Sequence, residues 1–122
     1  MRILLIICVV VMSSGCAAIP KQDSVDGLAA QLKPGQLHDL AYYVAQRIEY
    51  RRNQPYWLEA DTCIRQGYGN CKCKAAVSCA IISQWPGYGA WLWFPRPRHV
   101  VCRFVDFATG DIGWIDDDVF WE

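Results

Sequence analysis

Cys71 stands in the stretch Gly-Tyr-Gly-Asn-Cys-Lys-Cys-Lys-Ala, where a glycine-rich turn passes into a run free of Gly and Pro as far as Trp85. Asn70 is a favoured N-cap, so Cys71 falls in the first turn of a predicted helix. The positive end of that helix, with Lys72 and Lys74 close by, favours thiolate over thiol, and the thiolate is the nucleophile of acyl chemistry. A thiol nucleophile needs a base, and the chain has two histidines. His38 lies near the start of a long amphipathic helix, one position beyond its apolar stripe, where it reads as solvated or capping. His99 opens a predicted strand directly after Pro-Arg-Pro-Arg and is the better base.

A third group must orient the imidazole, and strand parity selects it. On one strand His99, Val101, Arg103 and Val105 share a face, while Asp106 points to the other and is a poor partner. The hairpin at Ala-Thr-Gly-Asp (108–111) returns Ile112–Asp116 beside the His99 strand, and Asp116 at its far end lies across from His99. Spacing alone leaves Asp117 and Asp118 as near alternatives.

The elements that must hold these residues follow from periodicity and punctuation. Ser24 caps a short helix with Val25, Leu28, Ala29 and Leu32 at helical spacing, ended by Pro34-Gly35. Leu37, Leu40, Ala41, Val44 and Ile48 then form one apolar stripe, which predicts an amphipathic helix of about 16 residues finished before Pro55. Residues 55–70 show no clear period. The run from Cys71 to Trp85 is apolar nearly all round beyond Lys74, the signature of a buried helix. After Pro86-Gly87 come Tyr88, Trp91, Trp93 and Phe94, and then the strands from His99 and Ile112. Helices first and antiparallel strands afterwards make an α+β fold.

At 122 residues the chain is one domain's worth. Its 12 basic and 12 acidic side chains balance, unlike the footprint of a nucleic-acid binder. The N-terminus has one positive charge, about ten apolar residues and then small residues ending at Cys16, which reads as a signal peptide over 1–15 because a membrane span needs roughly 20 apolar residues. Gly15-Cys16 resembles the cleavage box of bacterial lipoproteins, which implies acylation of Cys16 and anchoring at the cell envelope; the alternatives are simple export as a periplasmic or secreted protein, or an uncleaved anchor, with a tether over 16–23 and a domain over 24–122 in each case. Ser13 departs from that box.

Gly-Tyr-Gly-Asn-Cys-Lys-Cys-Lys-Ala, then His-Val-Val at 99 and Gly-Trp-Ile-Asp at 113, resembles the transglutaminase-like superfamily, including its bacterial cysteine-proteinase branch. The resemblance covers roughly residues 60–122, with Asn70 standing where an aspartate is common and Val100-Val101 replacing a small-then-aromatic pair. It implies a papain-like core with Cys71 as nucleophile, His99 as general base and acid, and Asp116 as the orienting carboxylate. The reaction implied is acyl transfer on a peptide or protein amide, cell-wall peptides included, without cofactor or metal. The Cys71 backbone N–H would form part of an oxyanion hole, with Gln66 or a tryptophan as second donor, and the aromatic stretch containing Trp93 would line a substrate groove or pack the core.

Seven cysteines in an exported chain call for a disulfide account. Setting aside Cys8 and Cys16 leaves Cys63, Cys71, Cys73, Cys79 and Cys102, an odd set consistent with one free thiol. Cys63–Cys73 and Cys79–Cys102 are candidate pairs whose connectivity sequence does not fix. Residues two apart on a helix point about 200° from one another, so Cys71 and Cys73 need not share a fate. A zinc site from Cys71, Cys73, His99 and Cys102 fits poorly, because structural sites prefer cysteines two to four residues apart on a turn. A disulfide-stabilised binding module, or an inactive scaffold of the same family, is the alternative to an enzyme.

Overall fold

The computed structural model describes residues 24–52, 57–116 and 119–121. The expected signal peptide, tether and Cys16, with Asp117 and Asp118, lie outside the described residues.

Helix α1 (Val25–Gln31) is capped as expected, with Ser24 Oγ accepting from the Gly27 N–H at 3.1 Å. The Val25 N–H donates to Asp61 Oδ1 at 2.8 Å, which ties the start of α1 to a later helix. Helix α2 (Leu37–Arg47) buries Leu40, Ala41 and Val44, the stripe its period predicts. It is shorter than its sequence suggests. After Ile48 the chain turns extended, and Glu49–Tyr50 (β1) pairs in parallel with Tyr68–Gly69 (β2), Tyr50 opposite Gly69. The Glu49 N–H donates to the Gly67 carbonyl at 2.9 Å and the Arg51 N–H to the Gly69 carbonyl at 2.8 Å. These long-range bonds to a segment some twenty residues away override local helical preference, which sequence periodicity does not register.

Helix α3 (Ala60–Gln66) occupies the stretch that shows no period. Seven residues make only two turns, too few for a stripe to emerge, yet Cys63 and Ile64 are buried. Gly67, at φ 79°, closes it in the left-handed conformation that glycine adopts without a Cβ penalty. Helix α4 (Cys71–Ile82) is capped by Asn70, whose Oδ1 accepts from the Lys72 N–H at 3.0 Å. It buries Cys73, Lys74, Ala75, Val77, Ser78, Ile81 and Ile82, on nearly every face, because it lies between the other helices and the sheet.

The sheet runs β3 (Tyr88–Arg96), β4 (His99–Asp106), β5 (Ile112–Asp116) and β6 (Val119–Trp121), antiparallel throughout and in sequence order. The aromatic-dense segment is therefore an edge strand, and Pro95 falls at its irregularity between Trp93 and Arg96, the kind of position an edge strand tolerates. Pro97 and Arg98 form a tight two-residue turn between paired Arg96 and His99. Phe104, Cys102 and Ile115 join Ile48, Ile64, Ile81, Leu40 and Val44 in one core. The fold is α+β with the main antiparallel sheet after the helices, as expected, except that the short parallel pair β1–β2 is interleaved with the helices.

Candidate functional site

Two supports meet at the start of α4. Cys63 on α3 is bonded to Cys73, with their Cα atoms 5.7 Å apart. Gly69 lies so close to this bridge that a Cβ there would fall 2.5 Å from both Cys73 Cβ and Sγ. The disulfide and the β1–β2 pair grip the residues before and after Cys71, leaving Cys71 itself half-buried and unbridged. The pairing Cys63–Cys73 takes Cys73 out of any set of zinc ligands with Cys71. Among the described residues, no group of three or more His, Cys, Asp or Glu is placed to hold a metal ion.

The second half of the site comes from the hairpin. Cys102 pairs with Ile115 and Arg103 with Trp114, so the register continued by one residue sets Asp116 opposite Val101, on the face of His99 and one diagonal step from it. His99 Nε2 lies 2.9 Å from Asp116 Oδ2. With Nε2 carrying the hydrogen donated to the carboxylate, Nδ1 is the nitrogen left with a lone pair for a thiol proton. Asp106 is occupied elsewhere, its Oδ1 accepting from the Ala108 N–H at 2.9 Å in the hairpin turn.

Cys71, His99 and Asp116 line one cleft of about 200 Å³, completed by Tyr50 and Lys74. Lys74 is 6% exposed, with its Nζ 5.8 Å from the Tyr50 ring centroid. Lys74 follows Cys71 by three residues on α4, the spacing that puts two side chains on one helix face. That spacing is visible in the sequence. Tyr50 is not, because it enters through the unexpected β1–β2 pairing. A second cleft of about 490 Å³ shares Tyr50, Cys71 and His99 and extends past Arg52, Asn70, Lys72, Arg96, Pro97 and Arg98.

Two expected site residues stand elsewhere. Gln66 lines neither cleft, and its Nε2 donates to the Tyr68 carbonyl at 2.6 Å, which commits the amide to the turn before Cys71 instead of to an oxyanion. Trp93 also lines neither; it packs on Trp114 with ring centroids 5.8 Å apart and carries the Arg103 guanidinium 4.4 Å above its ring. Of the expected oxyanion donors there remains the Cys71 N–H, one of the first-turn groups that have no intrahelical partner.

The other two thiols lie under the site, on α4 and β4. Cys79 and Cys102 are both free, with sulfurs 2.7 Å apart. Burial, reinforced by the contact with Cys79, pushes the Cys102 thiol well up, so it stays protonated and is a poor nucleophile. His38 is exposed on α2, away from both clefts. No helix among the described residues is long and apolar enough to cross a membrane. Set beside known protein families, characterised proteins and solved structures, the chain matches none of them.

Proposed function

We propose that the protein is an exported thiol acyl-transfer enzyme with a transglutaminase-like, papain-like core, acting on peptide or amide bonds through Cys71, His99 and Asp116. The observation that carries this reading is the 2.9 Å contact of His99 Nε2 with Asp116 Oδ2 in a cleft that also contains the one cysteine of the Cys71/Cys73 pair left unbridged. Deprotonated Cys71 attacks the carbonyl carbon, the C–N bond breaks as His99 protonates the departing amine, and a thioester remains on the sulfur. Water or a second amine then adds to the thioester, giving its proton to His99, and the thiolate leaves. Asp116 holds the ring with Nδ1 toward the sulfur and balances the imidazolium that forms in each half-reaction. The acylated form of Cys16 anchors the domain at the bacterial envelope, where proteins and cell-wall peptides supply amide substrates.

The test is acyl-enzyme trapping. Wild-type protein is incubated with a mixture of peptides and quenched in acid, and the mass added to Cys71 is located by peptide mass spectrometry, with hydroxylamine used to release any thioester. The expected result is a hydroxylamine-labile adduct on Cys71 that is absent in Cys71→Ala and at least about a hundredfold slower to form in His99→Ala. Turnover that persists in Cys71→Ala overturns Cys71 as the nucleophile, and Cys71 that alkylates no faster in wild type than in His99→Ala overturns the reading in favour of an inactive scaffold.

A further inference from the structure

The larger cleft has a one-signed wall. Among its described lining residues Arg52, Lys72, Arg96 and Arg98 carry positive charge and none carries negative charge, in a chain whose total charge is zero. Three chain segments contribute them: the residues just past β1, the first turn of α4, and the end of β3 with the turn into β4. Like charge gathered beside Cys71 and His99 among the described residues favours an anionic ligand.

Arg98 adds a second, independent observation. It is the one described non-glycine residue with positive φ, at 65°. With Pro97 before it, it sits third in a tight turn, the position where glycine or asparagine is normal because a Cβ is strained there. A residue held in this conformation against local preference, at the mouth of a reactive cleft, points to its side chain being used.

We infer that this groove binds the carboxylate side chains of an acidic peptide and so selects amide bonds flanked by Asp or Glu for reaction at Cys71. The inference rests on the acyl-transfer reading and names its substrate class. A peptide suits the groove better than a nucleic acid because the cations converge on a thiol and an imidazole suited to carbonyl chemistry, and because the chain as a whole has no excess of positive charge.

Binding is measured apart from turnover, using full-length Cys71→Ala protein and fluorescein-labelled octapeptides of Gly, Ala and Glu, or the same peptides with Gln for Glu. The Glu peptide is expected to bind about tenfold tighter at low salt, with the difference shrinking as salt rises. Arg98→Gly removes the charge and the backbone strain together. It should keep or raise the melting temperature while it lowers the Glu-peptide affinity several-fold, a split that a purely structural role for Arg98 would not produce. Arg52→Gln/Arg96→Gln should reduce the same preference with the turn intact. Equal affinity for the two peptides, a preference unchanged in both variants, or tighter binding of a single-stranded oligonucleotide than of the Glu peptide would each overturn the inference. Because Cys71→Ala binds without reacting, a preference for Glu peptides stands even if the wild-type protein turns nothing over, and only the acyl-transfer reading then fails.

Discussion

Replacing Gly69 by alanine tests how Cys71 is held in place. The added Cβ would sit 2.5 Å from Cys73 Cβ and from Cys73 Sγ. Carbon and sulfur atoms at rest keep about 3.5 to 4 Å, so the overlap is about 1 Å or more against two atoms at once. Neither can rotate away, because Cys73 is bonded to Cys63 and buried. The strand can retreat only by giving up the hydrogen bond from the Arg51 N–H to the Gly69 carbonyl. Overpacking of this kind costs about 1 to 3 kcal/mol, and a lost backbone bond adds about 1. For a domain of this size, 2 to 4 kcal/mol lowers the melting temperature by roughly 8 to 20 °C. Thermal unfolding by circular dichroism reads the shift. Alkylation of Cys71 reads the second consequence, a slower reaction, since Cys71 follows Gly69 by two residues and moves with it. A Gly69→Ala protein that melts within 2 °C of wild type would refute this account of the packing.

Asp116→Asn keeps the shape and an acceptor for Nε2 but removes the charge that balances the imidazolium. A hydrogen bond to a charged group is worth about 1.5 to 3 kcal/mol, and with Asp116 side-chain exposure at 36% the lower half applies, so kcat/KM should fall by a factor of roughly 10 to 45 without loss of melting temperature. Changing both Cys63 and Cys73 to serine opens a loop of ten residues' separation and should destabilise the oxidised protein by about 3 kcal/mol, measured by urea unfolding. Cys79 and Cys102 should form a second bridge under mild oxidation, seen as a two-hydrogen mass loss on the peptides that carry them, while Cys71 remains alkylatable; a bridge that instead captures Cys71 would contradict the arrangement. Asn70→Ala should cost about 1 kcal/mol by orphaning the Lys72 N–H.

The placement of Cys71, His99 and Asp116 is the most legible part of the sequence, and the reasons are local. Asn70 before Cys71 and an unbroken run after it define a capped helix start without reference to anything distant. Parity along His99–Asp106 and a short turn at Gly110 are enough to choose Asp116 over Asp106, because a hairpin register is itself a local property. The features the sequence does not announce depend on contacts far apart in the chain. Tyr50 joins the site through a two-residue parallel pairing that no hydrophobic pattern announces, and α3 is too short to show a period. The aromatic strand β3 is exposed along most of its length, so it lacks the inside-outside alternation by which strands are read. Gln66 and Trp93 are near Cys71 and His99 in sequence, and nearness of that kind says nothing about which way an amide or an indole turns.

The cysteines show how one helix serves two ends. Cys71, Cys73 and Cys79 all lie on α4, and each has a different environment: an open cleft, a disulfide to α3, and a thiol contact with β4. Cys73 and Cys79 thus hold α4 to the two bodies on either side of it, the helices and the sheet. Cys71 needs both attachments, since its own wall is built from α4 and β1 while His99 and Asp116 are carried by the sheet. Any freedom of α4 relative to the sheet changes the sulfur-to-imidazole distance directly, and a displacement of about 1 Å is enough to cost a reaction of this type roughly a hundredfold. Cys79→Ala/Cys102→Ala should therefore lower the melting temperature and also slow Cys71 alkylation at a temperature where the variant is fully folded; alkylation unchanged there would refute this role for the two thiols.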